Sequence, residues 1–239
     1  MRHHVLLTGA SSGIGRALAV QLASAGYRLS LQGRQADKLA STIAQIEQQS
    51  SPQATAQQLL HSAAFCLSQR EAIAEFVATA QAQAPVDILI NCAGANLSRD
   101  ATATPDYSAM TAMMQLNFFA PVSLCAAVLP SMLARETGTV LNVLSTCCLF
   151  ANPYNGAYTA SKLALDGYSK VMRKELQGSG IRVLCVYPGG VNTEFRPAER
   201  PDYLCPTEVA SAIVAMLDSP SHVHWHELVL RPKVETNYA

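Results

Sequence analysis

Short runs of apolar, β-branched residues alternate with longer stretches whose apolar positions recur at helical spacing along almost all of the 239 residues. The repeat switches between the two-residue period of strands and the 3.6-residue period of helices. The pattern predicts strands at 5–7, 28–32, 59–61, 86–90, 139–144, 183–187 and 227–230. Between them it predicts helices at 13–25, 37–48, 71–82, 107–134, 158–177 and 207–217, with Leu39, Ile43 and Ile46 on one face of the second. Pro121 and Pro130 are expected to bend or break the long fourth helix. The polar stretch 48–58, which contains Pro52, reads as a surface loop. Such alternation implies an α/β fold, a single Rossmann-like, doubly wound parallel sheet of about seven strands with helices on both faces. No repeat or shift in composition divides the chain, so residues 1–239 are expected to form one domain.

Composition narrows the functional classes. The chain is 49% hydrophobic and 14% charged, against a usual charged share of about 25%. It can bury a large core and is expected to cover further surface in subunit contacts. Seventeen basic residues balance 17 acidic ones without a basic cluster, which excludes a nucleic-acid footprint. The 7 cysteines form no C-x-x-C pair and read as reduced thiols of a cytoplasmic protein. The apolar stretch 118–133 is interrupted by Pro121, Ser123, Pro130 and Ser131 and reads as a buried or interface helix rather than a membrane span. No long apolar run follows Met1, so no signal peptide is expected.

The most informative chemistry is Tyr158-Thr159-Ala160-Ser161-Lys162. Residues four apart on a helix share a face, so a phenol and an ammonium stand one turn apart. Free tyrosine titrates near pH ~10. A cation ~4–5 Å from the phenolic oxygen favours phenolate by roughly 3–4 kcal/mol at an effective dielectric near 20. That shift brings the tyrosine toward neutral pH, where a general acid/base works best.

A second motif, Thr8-Gly9-Ala10-Ser11-Ser12-Gly13-Ile14-Gly15, joins the first strand to the first helix. Glycines let the backbone approach a ligand closely, and the helix start offers unpaired N–H groups to a pyrophosphate. The same residues satisfy G-x-S-x-G, the nucleophile elbow of a serine hydrolase with Ser11 as nucleophile. An elbow needs a sheet and an oxyanion loop ahead of it, and only a single short strand precedes Gly9. The hydrolase is therefore the remote alternative.

With both motifs in place, the chain resembles the short-chain dehydrogenase/reductases over nearly its whole length. Asn91-Cys92-Ala93-Gly94 resembles the family's N-N-A-G, with cysteine in second place. Asn117 lies in the long middle helix, where the family keeps an active-site asparagine, and Ser145 ends the fifth strand. Pro188-Gly189-Gly190-Val191-Asn192-Thr193 resembles the turn after the sixth strand. The resemblance implies a catalytic set of Asn117, Ser145, Tyr158 and Lys162. Tyr158 exchanges a proton with a carbonyl or alcohol oxygen, which Ser145 holds; Lys162 lowers the tyrosine pKa and binds the nicotinamide ribose; Asn117 holds a water that links Lys162 to solvent. It further implies cofactor contacts from Gly9, Ser11, Ser12, Gly13, Ile14, Gly15, Asn91, Ala93, Gly94, Pro188, Gly189, Val191 and Thr193, besides Tyr158 and Lys162. Cys66 stands where the family has an adenine-contacting aspartate, and backbone groups at Leu67 are expected to substitute for that contact. No catalytic metal is implied. A non-catalytic NADP-binding sensor on the same fold is the alternative, and the intact catalytic set argues against it.

The cofactor follows from the end of the second strand. Gly33 occupies the place of the carboxylate that binds a ribose 2′-hydroxyl in NAD enzymes, and Arg34 follows it. Guanidinium grips a 2′-phosphate with paired hydrogen bonds, so NADP(H) is expected in preference to NAD(H). The substrate loop is expected at about 191–206, with Phe195, Arg196, Arg200 and Tyr203 in it and Arg196 a candidate for a substrate carboxylate. The expected activity is that of a carbonyl reductase or alcohol dehydrogenase on a small ketone or 3-hydroxy acid. The family associates through its long helices, which implies a homodimer or homotetramer. His222, His224 and His226 would share one strand face and read as a solvent or interface stripe.

Overall fold

The computed structural model of the protein describes residues 3–49, 55, 57–195, 198–220 and 222–236. The chain begins with β1 (His4–Leu7), α1 (Gly13–Ser24), β2 (Arg28–Gly33), α2 (Ala36–Gln49), β3 (Leu59–Ala64), α3 (Arg70–Gln83) and β4 (Ile88–Asn91). A long helix, α4 (Tyr107–Ala134), precedes β5 (Gly138–Val143), α5 (Gly156–Glu175), β6 (Ile181–Pro188), α6 (Pro206–Leu217) and β7 (Glu227–Leu230). All 7 strands lie parallel in one sheet in the order β3-β2-β1-β4-β5-β6-β7. This is the Rossmann-like α/β architecture the alternation predicts.

Each strand serves both faces of the sheet through the two-residue alternation of side chains. Leu7, Ile90, Leu141 and Leu184 point into a core shared with Leu18, Leu22, Ile46 and Ile213 of α1, α2 and α6. Leu6, Leu89, Val140 and Val183 point the other way, onto Phe76, Leu124, Val128 and Met172 of α3, α4 and α5. Burial on both faces explains why the central strands read as continuous apolar runs. His4 is the polar exception in β1. It is fully buried, with Nδ1 against the Ala84 carbonyl at 3.0 Å and Nε2 sharing a hydrogen bond with Ser30 Oγ at 2.9 Å.

The chain winds outward from β1 to β3, then returns across the sheet to lay β4 on the other side of β1. A crevice opens at such a reversal, at the carboxyl ends of the strands. The pairing Leu7↔Ile90 brings the ends of β1 and β4 level there.

The structure amends the expected elements in particular places. Residues 55, 57 and 58 are helical inside the stretch expected as loop, β3 runs on to Ala64, and α5 starts at Gly156. Neither proline breaks α4. The helix instead widens into a π-turn at Gln115–Phe119, where the Ala120 N–H donates to the Gln115 carbonyl, and then continues through Pro130. Pro121 has no N–H to return to the carbonyl of residue 117, and its ring crowds that carbonyl, so widening relieves both problems. By length and composition α4 could cross a membrane, a property the expected break at its prolines hid. In this fold its Leu124, Val128 and Met132 are buried against the sheet layer. The histidines 222, 224 and 226 precede β7 and are not a strand face.

Candidate active site

The phosphate turn is built by contacts only glycine allows. Thr8 Oγ1 accepts N–H bonds from Cys92 at 3.2 Å and Ala93 at 3.3 Å, fastening the end of β1 to the end of β4. Gly9 and Gly13 have φ of 73° and 52°, and a Cβ on Gly9 would stand 2.8 Å from Ala93 Cα. A Cβ on Gly15 would stand 2.1 Å from the Gly9 carbonyl oxygen. Ser12 enters α1 in an extended conformation and makes no side-chain cap bond, so no capping side chain covers the first N–H groups of the helix. Arg16 Nη2 donates to the Ser11 carbonyl at 2.6 Å and steadies the turn.

The proton-transfer side of the crevice comes from β5, α4 and α5. Lys162 is almost fully buried, and its Nζ donates to the Val143 carbonyl at 2.9 Å. Burial pushes its pKa down, opposed by the thiols of Cys147, Cys148 and Cys92 nearby. Tyr158 is 8% exposed and its ring lies 5.9 Å from that of Phe195. Ser145 leaves β5 in extended conformation, and its Oγ accepts the Cys147 N–H at 3.2 Å. Cys147 packs beside Met113 and Tyr158.

Asn117 is the joint between these parts. Its Oδ1 accepts the Ala95 N–H at 3.0 Å, and its Nδ2 donates to the Ala95 carbonyl and to Ser161 Oγ, each at 2.9 Å. Ser161 Oγ in turn donates to the Tyr158 carbonyl at 2.7 Å. The loop after β4 and the turn of α5 that carries the tyrosine are thus held by one amide. Gly94 makes room for it: a Cβ there would stand 3.1 Å from both Asn117 Oδ1 and Lys162 Nζ.

A cleft of about 720 Å³ joins the two halves. Gly9, Ser11, Ser12, Gly13, Ile14 and Gly15 line its wall, as do Ser145, Tyr158 and Lys162. Arg34, Cys66 and Leu67 close one end, and Ala93, Gly94, Pro188, Gly189, Val191 and Thr193 complete the lining. Two expected residues lie behind this wall. Asn117 is fully buried in its joint. Asn91, expected at the cofactor, turns its amide to Asn142 Oδ1 at 2.8 Å inside the sheet. Arg196 lies outside the described residues.

Other side chains reach the cleft without a motif to announce them. Lys38 of α2 stands in its wall together with Arg34, which precedes that helix. Asn96, whose Nδ2 donates to Asn155 Oδ1 at 2.8 Å, lines it with Arg99. Glu235 Oε1 accepts the Gly190 N–H at 2.8 Å and folds the tail over the turn after β6. Such contacts depend on distant segments meeting, which local sequence does not encode. A second depression of about 780 Å³ is lined by Gly138, Ile181 and Arg182, at the opposite ends of the strands, and contains none of these groups. Among the described residues no three His, Cys, Asp or Glu side chains gather as a metal site.

Comparison with known proteins agrees with this geometry. The family model for short chain dehydrogenases matches residues 3–204. An uncharacterized oxidoreductase of Staphylococcus saprophyticus is 32% identical over 233 residues, covering 95% of this chain and 96% of that protein. The alcohol dehydrogenase of the archaeon Thermococcus sibiricus, solved with 5-hydroxy-NADP, superposes with a TM-score of 0.88 at 26% identity, covering 98% of both chains. Serine dehydrogenase from Escherichia coli superposes with a TM-score of 0.83 at 25% identity, over 98% of this chain and 99% of that one. Matched by the family model over most of its length and by a relative nearly as long as itself, the chain belongs to the short-chain dehydrogenase/reductase family of oxidoreductases.

Proposed function

We propose that the protein is an NADP(H)-dependent carbonyl reductase or alcohol dehydrogenase in which Tyr158 is the general acid/base. The observation that carries this reading is the one cleft that Ser145, Tyr158 and Lys162 line together with the glycine turn. The residues present fit a dinucleotide: Gly9 and Gly15 let the turn fold tightly against Ala93 and onto itself, and the start of α1 supplies N–H groups with no capping side chain over them. When bound, the nicotinamide supplies or accepts hydride. The protein's part is to position and to move a proton. Ser145 Oγ holds the substrate oxygen, Tyr158 gives that oxygen its proton in reduction and takes it back in oxidation, and Lys162 favours the phenolate. The Asn117 side chain is fully engaged with Ala95 and Ser161. The Asn117 carbonyl, to which Pro121 returns no N–H, is where the proposed relay water would rest.

Preference for NADP(H) is supported at Gly33. A Cβ there would lie 2.9 Å from Ser11 Cβ and 3.2 Å from its Oγ, so a carboxylate at this position would have to displace Ser11. Arg34 beside it offers a partner for a 2′-phosphate. Small ketones and 3-hydroxy acids are the proposed substrates, the latter supported by the likeness to serine dehydrogenase. Exposed apolar side chains on α4 and α5, among them Phe119, Leu163 and Val171, support a homodimer or homotetramer. The free thiols support a reducing, cytoplasmic setting.

The test is oxidation of NADPH and NADH against a panel of ketones and 3-oxo acids. NADPH is expected to be used preferentially, and Arg34→Asp is expected to shift preference toward NADH. An unchanged cofactor ratio in that variant defeats the 2′-phosphate argument, and no turnover with any carbonyl defeats the enzymatic one.

A further inference from the structure

Glu194 follows Thr193 in the segment that leaves β6, and its carboxylate accepts a hydrogen bond from the Lys38 ammonium on α2. Both residues line the cleft, so their ion pair ties the substrate-loop side to the Arg34 end. The segment also rests on the phosphate turn, since a Cβ on Gly13 would stand 3.1 Å from Thr193 Cγ2. Lys38 holds the Glu194 carboxyl below its usual pKa through that hydrogen bond. The side chains are 35% and 56% exposed, a setting in which an ion pair is weak and easily exchanged.

Glu194 and Glu235 are the only carboxylates in the described wall of the cleft, and Glu235 is engaged with Gly190. A dinucleotide carrying a 2′-phosphate brings a dianion to the end where Arg34 and Lys38 stand. An ammonium gains more from that dianion than from one solvated carboxylate. We propose that Lys38 is a second 2′-phosphate-binding cation masked by Glu194, and that the phosphate displaces the carboxylate when NADP(H) binds. This rests on the NADP(H) reading above. A cofactor without the phosphate leaves the Lys38–Glu194 pair intact, so the exchange adds to cofactor selectivity at a position the second strand does not contain.

The exchange is read by calorimetric binding of adenosine 2′,5′-bisphosphate and adenosine 5′-monophosphate, with NADPH and NADH followed by fluorescence. Lys38→Gln is expected to weaken the bisphosphate and NADPH about five- to tenfold, the size of one net hydrogen bond, and to leave the monophosphate and NADH within about twofold. Glu194→Gln is expected to tighten the bisphosphate and NADPH about two- to threefold, and to lose that gain when Lys38→Gln is also present. Full retention of bisphosphate selectivity in Lys38→Gln overturns the inference, as does a Glu194→Gln gain that persists without the lysine. A wild-type protein that binds the two nucleotides equally overturns the NADP(H) reading itself, so the two failures are distinguishable.

Discussion

Tyr158, Lys162 and Ser145 declare themselves because their chemistry depends on spacing within one turn or on the end of one strand. Asn91 does not. Its place in the N-C-A-G segment points to the cofactor, yet its amide is claimed by Asn142 of the neighbouring strand, which lies far away in sequence. Cys66 is the reverse case, an expected adenine contact whose exposed thiol has a measurable property. The Ser68 hydroxyl and, more weakly, the charge of Arg34 lower its pKa. Iodoacetamide is therefore expected to label Cys66 first, and NADPH at ten times its Kd is expected to slow that labelling about tenfold. Cys205 is also exposed and stands outside the cleft, so its labelling should be indifferent to NADPH. Peptide mass spectrometry checks both, and labelling of Cys66 unaffected by NADPH would remove it from the adenine wall.

The helix α4 was legible in its apolar period, and of the bend or break expected at its prolines the break does not occur. A proline rule foresees the lost hydrogen bond but not how the chain absorbs it, and here a π-turn keeps the helix continuous while turning Asn117 into the joint. Asn117→Ala removes the partner of the Ala95 N–H and carbonyl together. It is expected to cost about 1–3 kcal/mol in urea unfolding, with a fall in kcat from the loosened Tyr158 turn. Pro121→Ala restores a donor for the Asn117 carbonyl. If the relay runs through that carbonyl, kcat falls while stability stays within about 1 kcal/mol of wild type. Unchanged kcat in Pro121→Ala would place the relay elsewhere.

Topology was readable because a parallel sheet leaves few ways to connect alternating elements. What the pattern could not show is which faces stay open. Leu163 and Val171 of α5 are 43% and 57% exposed, and nothing lies within 4 Å of the Cβ position of Gly167 between them. Sedimentation is expected to report a dimer or tetramer that Leu163→Glu with Val171→Glu converts to monomer; an assembly indifferent to those charges would use another surface. Buried His4 sets a pH limit on the whole fold. Burial lowers its pKa from 6.5 and favours the neutral ring, whereas the unfolded chain protonates it freely. This contribution is complete above pH 6.5 and is lost as pH falls toward the lower folded value. Urea unfolding at stepped pH is expected to decline below that point, and less steeply in His4→Gln.

The most direct measurement is turnover and NADPH binding in Tyr158→Phe, which keeps the ring against Phe195 and removes only the hydroxyl. Turnover of any carbonyl the wild-type protein reduces is expected to fall at least about 10²–10⁴-fold, with NADPH affinity within about twofold. A variant that turns over at the wild-type rate would show that the proton travels by another group.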